Sequence, residues 1–193
     1  MSILSFHATK VYNTFEGGAI VCHDEKTKKR IDYLKNFGFV GETNVIAPGI
    51  NAKMNEFQAA LGLLQLKYIK ESIEKRKIIA NYYRQELKLV EGIEFLKDIQ
   101  NVKHNYAYFP ILMDKQKYGK SRDDIYNLLI ENGINTRRYF YPLISHFPTY
   151  KGLESAIKEN LPVATKVADE VLCLPIYPDL EREDLERIIG IIR

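Results

Sequence analysis

A helical pattern of about 30 residues constrains the fold of this chain more than any other feature. The pattern begins at Asn55, where Gln58 three residues later makes a capping-box-like start. It runs to about Leu87 and ends before Gly92. Its first half carries an apolar stripe at three- and four-residue spacing, formed by Met54, Phe57, Leu61, Leu64 and Tyr68.

The second half of this helix is expected to be solvated, because residues 70–76 are strongly charged. A helix of this length often links two domains, so we divide the chain at the helix end, into residues 1–87 and 88–193. The 193 residues suffice for one domain or for a domain and a half.

The composition is that of a globular protein, with 46% hydrophobic and 27% charged residues. The net charge of +3 gives no reason to expect binding to nucleic acid or to an anionic membrane. No apolar run reaches the roughly 18 residues that span a bilayer, and the first residues lack the basic leader and long apolar stretch of a signal peptide. Cys22 and Cys173 make no metal motif, and we expect both to be reduced, buried and strand-borne in a cytoplasmic protein.

Ahead of the long helix the pattern is mixed α/β. Residues 3–6 are typical of a strand end, 18–22 of a short buried strand, 24–34 of a charged helix and 38–50 of a loop. After it, strands are expected over 93–96, 106–113, 136–141 and 172–176, and helices over 121–132, 161–171 and from 179 onward. Ser121 is the expected cap of the first of these helices, and Gly133 ends it. These elements predict a small α+β domain from about residue 88.

One segment near the start carries residues suited to carbonyl chemistry. Lys10 follows a predicted strand and lies beside Ser5, His7 and Thr9. An amine of lowered pKa in a partly desolvated site can form a Schiff base with a carbonyl. Judged alone the signal is weak, because a single lysine is most often a solvated surface charge. The glycine pair at 17–18 is likewise most often a turn.

The prediction of a reactive lysine becomes stronger when the chain is considered as a whole. Residues 5–10 (Ser-Phe-His-Ala-Thr-Lys) and 13–21 (Asn-Thr-Phe-Glu-Gly-Gly-Ala-Ile-Val) resemble the lysine motif of the DegT/DnrJ/EryC1/StrS aminotransferases. Further segments follow in that family's order, at 48–55, 58–66, 133–139, 141–143, 146 and 172–178. The resemblance spans nearly the whole chain, and several motifs at consistent spacing are far more specific than any one of them.

The resemblance implies a fold and a catalytic group. The chain resembles the C-terminal part of a PLP-dependent, aspartate-aminotransferase-like (fold type I) α/β protein. Residues 1–87 would be an incomplete large domain and residues 88–193 a small α+β C-terminal domain. Lys10 would link covalently to pyridoxal 5′-phosphate and shuttle the proton, and Ser5 would hydrogen-bond the cofactor phosphate. Asn51 would reach the phosphate of the neighbouring subunit's cofactor in a homodimer, although judged alone it is better explained as a loop residue.

The resemblance also implies contacts to the substrate. Arg137, Arg138, Tyr139 and His146 fall in the region that resembles the nucleotide-sugar contacts. An arginine there can pair with a diphosphate, and a tyrosine can stack on the sugar. The two arginines lie on a predicted strand, so they are expected to face opposite ways, with at most one in the site. His146 is equally well explained as a loop histidine. No metal ligand is expected.

The elements that complete such a site are expected outside these residues. A PLP enzyme needs an acid that keeps the pyridine nitrogen protonated and further phosphate donors, which in this family precede the lysine. Only nine residues precede Lys10. We therefore expect an N-terminally truncated chain: a fragment, the product of a split or decayed gene, or a chain completed by a separate polypeptide. The strands near Ile3 and Ala19 are then expected to have exposed edges.

The leading hypothesis from the resemblance is amino transfer from glutamate to a dTDP-linked 4-keto-6-deoxyhexose, for O-antigen or other surface polysaccharide synthesis in the cytoplasm. The Ser-Phe-His-Ala-Thr-Lys form of the motif resembles 4-aminotransferases more than 3-aminotransferases. Three alternatives stay open. They are a 3-keto sugar aminotransferase, an inactive remnant or partner-binding module, and a regulatory homologue that binds PLP without transamination.

Overall fold

Two units make up the chain in the computed structural model, which describes residues 1–193. Unit 1 covers residues 1–70 and unit 2 covers residues 71–193. Unit 1 contains, in chain order, strand β1 (Ser2–Ser5), strand β2 (Gly18–Val21), helix α1 (Glu25–Leu34), strand β3 (Phe39–Val40) and strand β4 (Asn44–Val45). Helix α2 (Glu56–Leu87) begins in unit 1 and ends in unit 2.

Strands β1 and β2 form a two-stranded antiparallel sheet in which Ile3 lies opposite Ile20. Both predicted strands are present, but the prediction that β2 is buried was wrong. The side chains of Ile20 and Val21 are 47% and 46% exposed, because a sheet of two strands leaves most of its surface uncovered. Cys22 follows β2 and is half-buried, so it is not the buried, strand-borne residue that was expected.

Helix α1 begins at the predicted place, with Asp24 as its N-cap. The Asp24 carboxylate accepts a hydrogen bond from the Thr27 amide at 2.7 Å. The predicted loop over residues 38–50 contains a short antiparallel hairpin of β3 and β4. Gly38 has a φ of +83°, and a Cβ there would lie 1.8 Å from the Ala47 carbonyl oxygen. Only glycine fits this close approach of two backbone segments.

Helix α2 has the predicted capping box. Oδ1 of Asn55 accepts from the Gln58 amide at 2.9 Å, and Oε1 of Gln58 accepts from the Asn55 amide at 3.3 Å. The predicted apolar stripe is not buried in this chain, since Phe57 is 87% and Tyr68 is 57% exposed. The buried side chains of α2 lie in its last third instead and are Ile79, Ala80, Tyr83 and Leu87.

Residues 70–76 were expected to be solvated, and this prediction was wrong for Arg76. It is half-buried, and its Nη1 donates to the Ile176 carbonyl at 2.5 Å and to the Tyr106 carbonyl at 3.4 Å. Because this part of α2 packs into unit 2, that unit begins at Glu71, whereas the division made from sequence came after Leu87. The assignment of residues 1–87 to a remnant large domain stays a prediction.

Unit 2 is built around a three-stranded antiparallel sheet of order β5-β6-β7. Its elements are β5 (Ile93–Phe95), β6 (Phe109–Met113), α3 (Lys115–Tyr118), α4 (Arg122–Glu131), α5 (Pro162–Glu170), β7 (Val171–Leu174) and α6 (Arg182–Ile192), with 3₁₀ turns at Ile144–His146, Glu154–Ala156 and Lys158–Asn160. The central strand β6 buries alternate side chains, Phe109, Ile111 and Met113. The predicted α+β character of this part is confirmed. None of the helices combines the length and the apolar character that a membrane span requires.

Helix α4 has the predicted start and end. The Ser121 side chain accepts from the Asp124 amide, while the Asp124 carboxylate accepts from the Ser121 amide at 2.8 Å. Gly133 follows the helix with a φ of +76°, a conformation that favours glycine.

The strand predicted over residues 136–141 is absent, and that prediction was wrong. Only Arg137 pairs, in a single antiparallel bridge with Cys173 of β7. The chain then leaves the sheet, because residues 139–140 form a turn. Cys173 is 6% exposed and lies on a strand, as expected.

Candidate functional site

The loop over residues 6–17 joins β1 to β2 and is closed by two backbone hydrogen bonds. The Phe6 amide donates to the Gly17 carbonyl and the Thr14 amide to the Phe6 carbonyl, both at 2.9 Å. Thr14 is 1% exposed, and its hydroxyl donates to the Glu16 carbonyl at 2.8 Å. Thr14 therefore anchors this segment, which we call the lysine loop.

Lys10 ends a tight turn in the lysine loop. Its amide donates to the His7 carbonyl at 2.9 Å, and its carbonyl accepts from Asn13 Nδ2 at 3.2 Å. The residue is half-buried, and no hydrogen bond or ion pair engages its ε-amino group. An amine without a carboxylate partner is available to react with a carbonyl or to bind an anion.

Ser5 is the last residue of β1 and is exposed. Its Oγ accepts a long bond of 3.4 Å from the His7 amide, which leaves the hydroxyl proton free for another acceptor. His7 is held by its neighbours, since Nδ1 accepts from the Thr9 amide at 3.2 Å and Nε2 lies 3.5 Å from Glu16 Oε1. Ser5 and Lys10 thus present a free hydroxyl and a free amine at the two ends of one short segment.

Helix α2 packs against the lysine loop at Gly62, which is buried. A Cβ at this position would lie 2.8 Å from Tyr12 Oη and 3.0 Å from Thr14 Cγ2. The Tyr12 ring makes an edge-on contact with the Phe6 ring, with centroids 4.9 Å apart. Sequence analysis did not single out Gly62. The signal that points to it is a glycine inside a long helix, where glycine lowers helix stability and commonly has a packing reason.

Asn51 lies after the β3–β4 hairpin and is exposed. The amides on either side of it, those of Ile50 and Ala52, donate to the Leu34 and Lys35 carbonyls at 2.9 Å, at the end of α1. These bonds fix the Asn51 backbone, while its side chain has no hydrogen-bond partner. No hydrogen bond within the chain joins Asn51 to the lysine loop.

Unit 1 also contains a cleft of about 780 Å³, which we call the unit 1 cleft. It is lined by residues of β1, β2 and α1 and by residues 52–54, and its apolar side chains include Ile3, Leu4, Ile20, Ile31 and Met54. Lys28, Lys35, Lys53 and Asp32 also line it. Hydrogen bonds from the first two lysines lower the pKa of Asp32 to about 2.

In unit 2, the Arg138 guanidinium has several partners. It donates to Asp123 Oδ1 at 2.9 Å, and it lies 4.3 Å above the Tyr126 ring and 5.3 Å from the Tyr141 ring. An arginine that pairs with a carboxylate and stacks on aromatic rings is held in one orientation.

Arg137 differs sharply from its neighbour. Its backbone is fixed by the bridge to Cys173, with N–O distances of 3.2 and 2.7 Å. Its side chain is exposed, and no hydrogen bond or ion pair engages the guanidinium. Arg137 is therefore the arginine that is free to pair with a ligand.

Tyr139 and His146 lie further along the same segment. Tyr139 is half-buried, and its ring contacts those of Tyr108 edge-on at 5.4 Å and Phe140 face-on at 4.7 Å. His146 ends a 3₁₀ turn and is exposed, with no side-chain hydrogen bond. The structure joins Tyr139 to an aromatic cluster but does not connect His146 to the arginines by any hydrogen bond.

Sequence analysis missed Arg122, which is 2% exposed. Its Nη1 donates to the Ala168 carbonyl at 3.1 Å and to the Val171 carbonyl at 3.0 Å, at the C-terminal end of α5. Its guanidinium also lies 4.7 Å from the Tyr141 ring. Arg122 therefore holds together α5 and the segment that carries the candidate substrate-binding residues. Nothing local in the sequence marks it as buried.

Comparison with known proteins agrees with the expected fold. The model of the DegT/DnrJ/EryC1/StrS aminotransferase family matches residues 1–193. A dTDP-4-amino-4,6-dideoxy-D-glucose transaminase from Escherichia coli is 55% identical over 92% of this chain and 48% of its own length. A relative of the same name from Shigella dysenteriae is 43% identical over 100% of this chain and 52% of its own length.

A solved structure of DesI in the presence of its TDP-sugar product has a TM-score of 0.90 at 34% identity. It is matched over 98% of this chain and 48% of its own. The fold that the sequence resemblance predicted, part of a sugar aminotransferase chain, is confirmed. The chain spans about half the length of the relatives it matches.

Proposed function

The chain belongs to the DegT/DnrJ/EryC1/StrS aminotransferase family, and from this premise we propose that it takes part in amino transfer from glutamate to C4 of a dTDP-linked 4-keto-6-deoxyhexose. The names of the two transaminase relatives support this sugar and this position. Because the chain spans about half their length, its proposed contribution is the part of the site that carries the reactive lysine. The observation that carries the proposal is that Lys10 is half-buried and that its ε-amino group has no hydrogen-bond or ion-pair partner.

Pyridoxal 5′-phosphate is the proposed cofactor, and groups in unit 1 fit it. The free amine of Lys10 would hold the cofactor covalently, and Nζ would later carry the proton between carbon atoms. The free hydroxyl of Ser5 would donate to the phosphate. Asn51, whose side chain has no partner in this chain, would contact the phosphate in the neighbouring subunit of a homodimer. When bound, the cofactor supplies an electron sink at the reacting carbon.

Unit 2 would bind the nucleotide sugar. Arg137 is proposed to pair with the diphosphate, because its guanidinium is exposed and has no competing carboxylate. Arg138, which Asp123 already holds, is proposed to line the site with a fixed orientation. Tyr139 and His146 are proposed to contact the sugar, through the ring and through a free imidazole.

The wider setting follows from the same proposal. Residues 1–87 would belong to the large domain of the enzyme and residues 88–193 to its small C-terminal domain. The amino sugar would be used for O-antigen or another surface polysaccharide. A cytoplasmic location agrees with the state of Cys22 and Cys173, which are both free thiols.

Covalent trapping tests the role of Lys10. The 193-residue chain is mixed with pyridoxal 5′-phosphate, reduced with borohydride and digested, and the labelled peptides are identified by mass spectrometry. The label is expected on Lys10, and the Lys10→Arg chain is expected to lose it. Lys53→Arg is the matched control, because Lys53 also lacks a carboxylate partner. This substitution should leave the labelling of Lys10 unchanged. Equal labelling of both lysines would contradict the proposal.

The reaction itself is tested with a completed site. The chain is combined with the part of the Escherichia coli relative that it does not match, and the mixture receives the cofactor, glutamate and a dTDP-4-keto-6-deoxyhexose. The expected product carries its new amino group at C4, as seen by NMR. A parallel reaction receives the corresponding 3-keto sugar instead. Amination of the 3-keto sugar at C3, with none of the 4-keto sugar, would overturn the assignment.

A further inference from the structure

The side-chain amide of Asn13 joins three parts of unit 1. Its Nδ2 donates to the Lys10 carbonyl at 3.2 Å, and its Oδ1 accepts from the Phe15 amide at 3.3 Å. The same Oδ1 accepts from Nε2 of Gln65, on helix α2, at 3.4 Å. The three bonds are long, so each is weak by itself, but all of them converge on one half-buried side chain.

The backbone of Lys10 depends on this side chain. The Lys10 amide donates to the His7 carbonyl at 2.9 Å, which closes the turn that precedes the lysine. The Lys10 carbonyl accepts no hydrogen bond other than the one from Asn13. Because this bond holds the second polar group of the backbone, it restricts the position from which the lysine side chain starts.

The backbone at Phe15 needs the second bond. Phe15 has a φ of +63° and lies at the centre of a three-residue turn, in which the Glu16 amide donates to the Thr14 carbonyl at 2.9 Å. A turn of this kind with a positive φ at its centre is strained, and it persists only where its surroundings restrain it. The Phe15 side chain is 64% exposed, so packing supplies little restraint. The hydrogen bond from its amide to Asn13 therefore contributes to holding this turn.

A purely local role does not account for the contacts of Asn13. An asparagine oxygen commonly accepts from the amide two residues later, and an aspartate oxygen does the same. Only the donor Nδ2 distinguishes asparagine from aspartate, and Nδ2 is the atom that holds Lys10. The contact with Gln65 also lies outside any local turn, since the two residues are 52 positions apart.

We propose that Asn13 is a positioning residue for Lys10. Its Nδ2 holds the Lys10 backbone and so sets where the ε-amino group lies, while its Oδ1 ties that backbone to the Phe15 turn and to α2. The inference rests on the proposed function of Lys10 as the lysine that reacts with pyridoxal 5′-phosphate. The expected effect is large, because displacement of a reacting group by about 1 Å can lower a rate by about a hundredfold.

Hydrogen exchange of the 193-residue chain tests the positioning without any cofactor. In Asn13→Ala the amides of Lys10 and Phe15 are expected to exchange about fivefold faster or more, and the amide of Ile31 in α1 should keep its rate. Asn127→Ala is the matched control, since Asn127 is an exposed residue of α4 without a side-chain hydrogen bond. An unchanged exchange rate of the Lys10 amide in Asn13→Ala would overturn the proposal.

The rate of covalent labelling tests the consequence for the amine. The initial rate at which pyridoxal 5′-phosphate and borohydride label Lys10 is measured by mass spectrometry over a range of pH. Asn13→Ala is expected to lower the limiting rate at high pH by about tenfold, with an unchanged circular dichroism spectrum and unchanged labelling of Lys53. At high pH the amine is uncharged in every variant, so the limiting rate reports its position and not its protonation.

Asn13→Asp separates the two sides of the amide. It keeps an acceptor for Phe15 and Gln65 but loses the donor to Lys10, so its limiting rate is expected to fall as in Asn13→Ala. A limiting rate equal to that of the parent chain in either variant, or an equal fall at Lys10 and Lys53, would contradict a positioning role. If the parent chain is labelled equally at both lysines, the proposed function fails, and hydrogen exchange still decides whether Asn13 holds the Lys10 backbone.

Discussion

The Arg138 guanidinium donates to the Asp123 carboxylate at 2.9 Å. The guanidinium of Arg137, the adjacent residue in the sequence, has no such partner. Asp123 is half-exposed and lies in the first turn of α4, where the helix dipole also favours a negative charge. Arg138 is thereby engaged within the fold. Arg137 keeps a free guanidinium on an exposed side chain.

Replacement of Arg137 by alanine is expected to weaken binding of a dTDP-sugar by about tenfold or more, because a charge-assisted pair with a diphosphate is lost. Arg138→Ala is expected to change affinity less and to lower the free energy of unfolding by about 1 kcal/mol, through the lost ion pair and ring contacts. Calorimetric titration and urea unfolding of both variants, each complexed with the unmatched half of a relative, measure the two effects. A larger affinity loss for Arg138→Ala would reverse the proposed roles.

Replacement of Arg122 by methionine is expected to lower the free energy of unfolding by about 2 kcal/mol. The methionine fills similar space but leaves the Ala168 and Val171 carbonyls without their buried donor. Lys166→Met is the control, since Lys166 is an exposed lysine on α5 whose ion pair with Glu170 is worth about 0.5 kcal/mol or less. If urea unfolding shows the same loss of unfolding free energy for both variants, then the buried hydrogen bonds of Arg122 do not contribute to stability.

Local sequence signals predicted two helix caps correctly. The caps at Asn55 and Ser121 are both formed, because a cap acts on backbone groups only three residues away. The short helix α3 was not predicted, and α6 begins at Arg182 rather than at 179. Burial could not be predicted in the same way. An apolar run such as Gly18–Val21 indicates that a side chain can be buried, but whether it is depends on what packs against it.

The site residues show the same difference between local and long-range signals. Lys10 could be proposed as a site residue because a contiguous motif surrounds it. The contact of Gly62 with Tyr12 and the burial of Arg122 could not be, because each depends on residues that are distant in sequence and meet only in the folded chain. The predicted strand through Arg137 failed for a related reason, since residues of high strand propensity, such as the aromatic residues of 136–141, make a strand only where a partner edge continues.

The Asp32 carboxyl is expected to titrate near a pKa of about 2, well below its ordinary 3.8, because Lys28 and Lys35 hydrogen-bond the charged form. Its contribution to stability is therefore fully present above about pH 3.8 and is lost as the pH falls through about 2. NMR titration of the carboxyl carbon measures the midpoint. Lys28→Ala is expected to raise it, whereas Lys29→Ala, which removes a neighbouring lysine of α1 without an ion pair to Asp32, should leave it unchanged. A midpoint at 3.8 in the parent chain would contradict the ion pairs.

Two glycines in helices give opposite predictions for the same substitution. A Cβ at Gly190 of α6 would meet no neighbouring atom within 4 Å, so Gly190→Ala is expected to raise the free energy of unfolding by up to about 1 kcal/mol through helix propensity alone. At Gly62 a Cβ would lie 2.8 Å from Tyr12 Oη and 3.0 Å from Thr14 Cγ2. Gly62→Ala is therefore expected to displace the lysine loop in spite of the same gain in propensity.

Hydrogen exchange at the Thr14 amide is the sensitive measurement, because that amide donates to the Phe6 carbonyl and closes the lysine loop. Its exchange is expected to become faster in Gly62→Ala and to stay unchanged in Gly190→Ala. Borohydride labelling of Lys10 should fall in the first variant alone, since the position of the amine depends on the loop that Thr14 anchors. If Gly62→Ala stabilises the chain and leaves the Thr14 amide protected, then Tyr12 can move aside freely and α2 does not position the lysine.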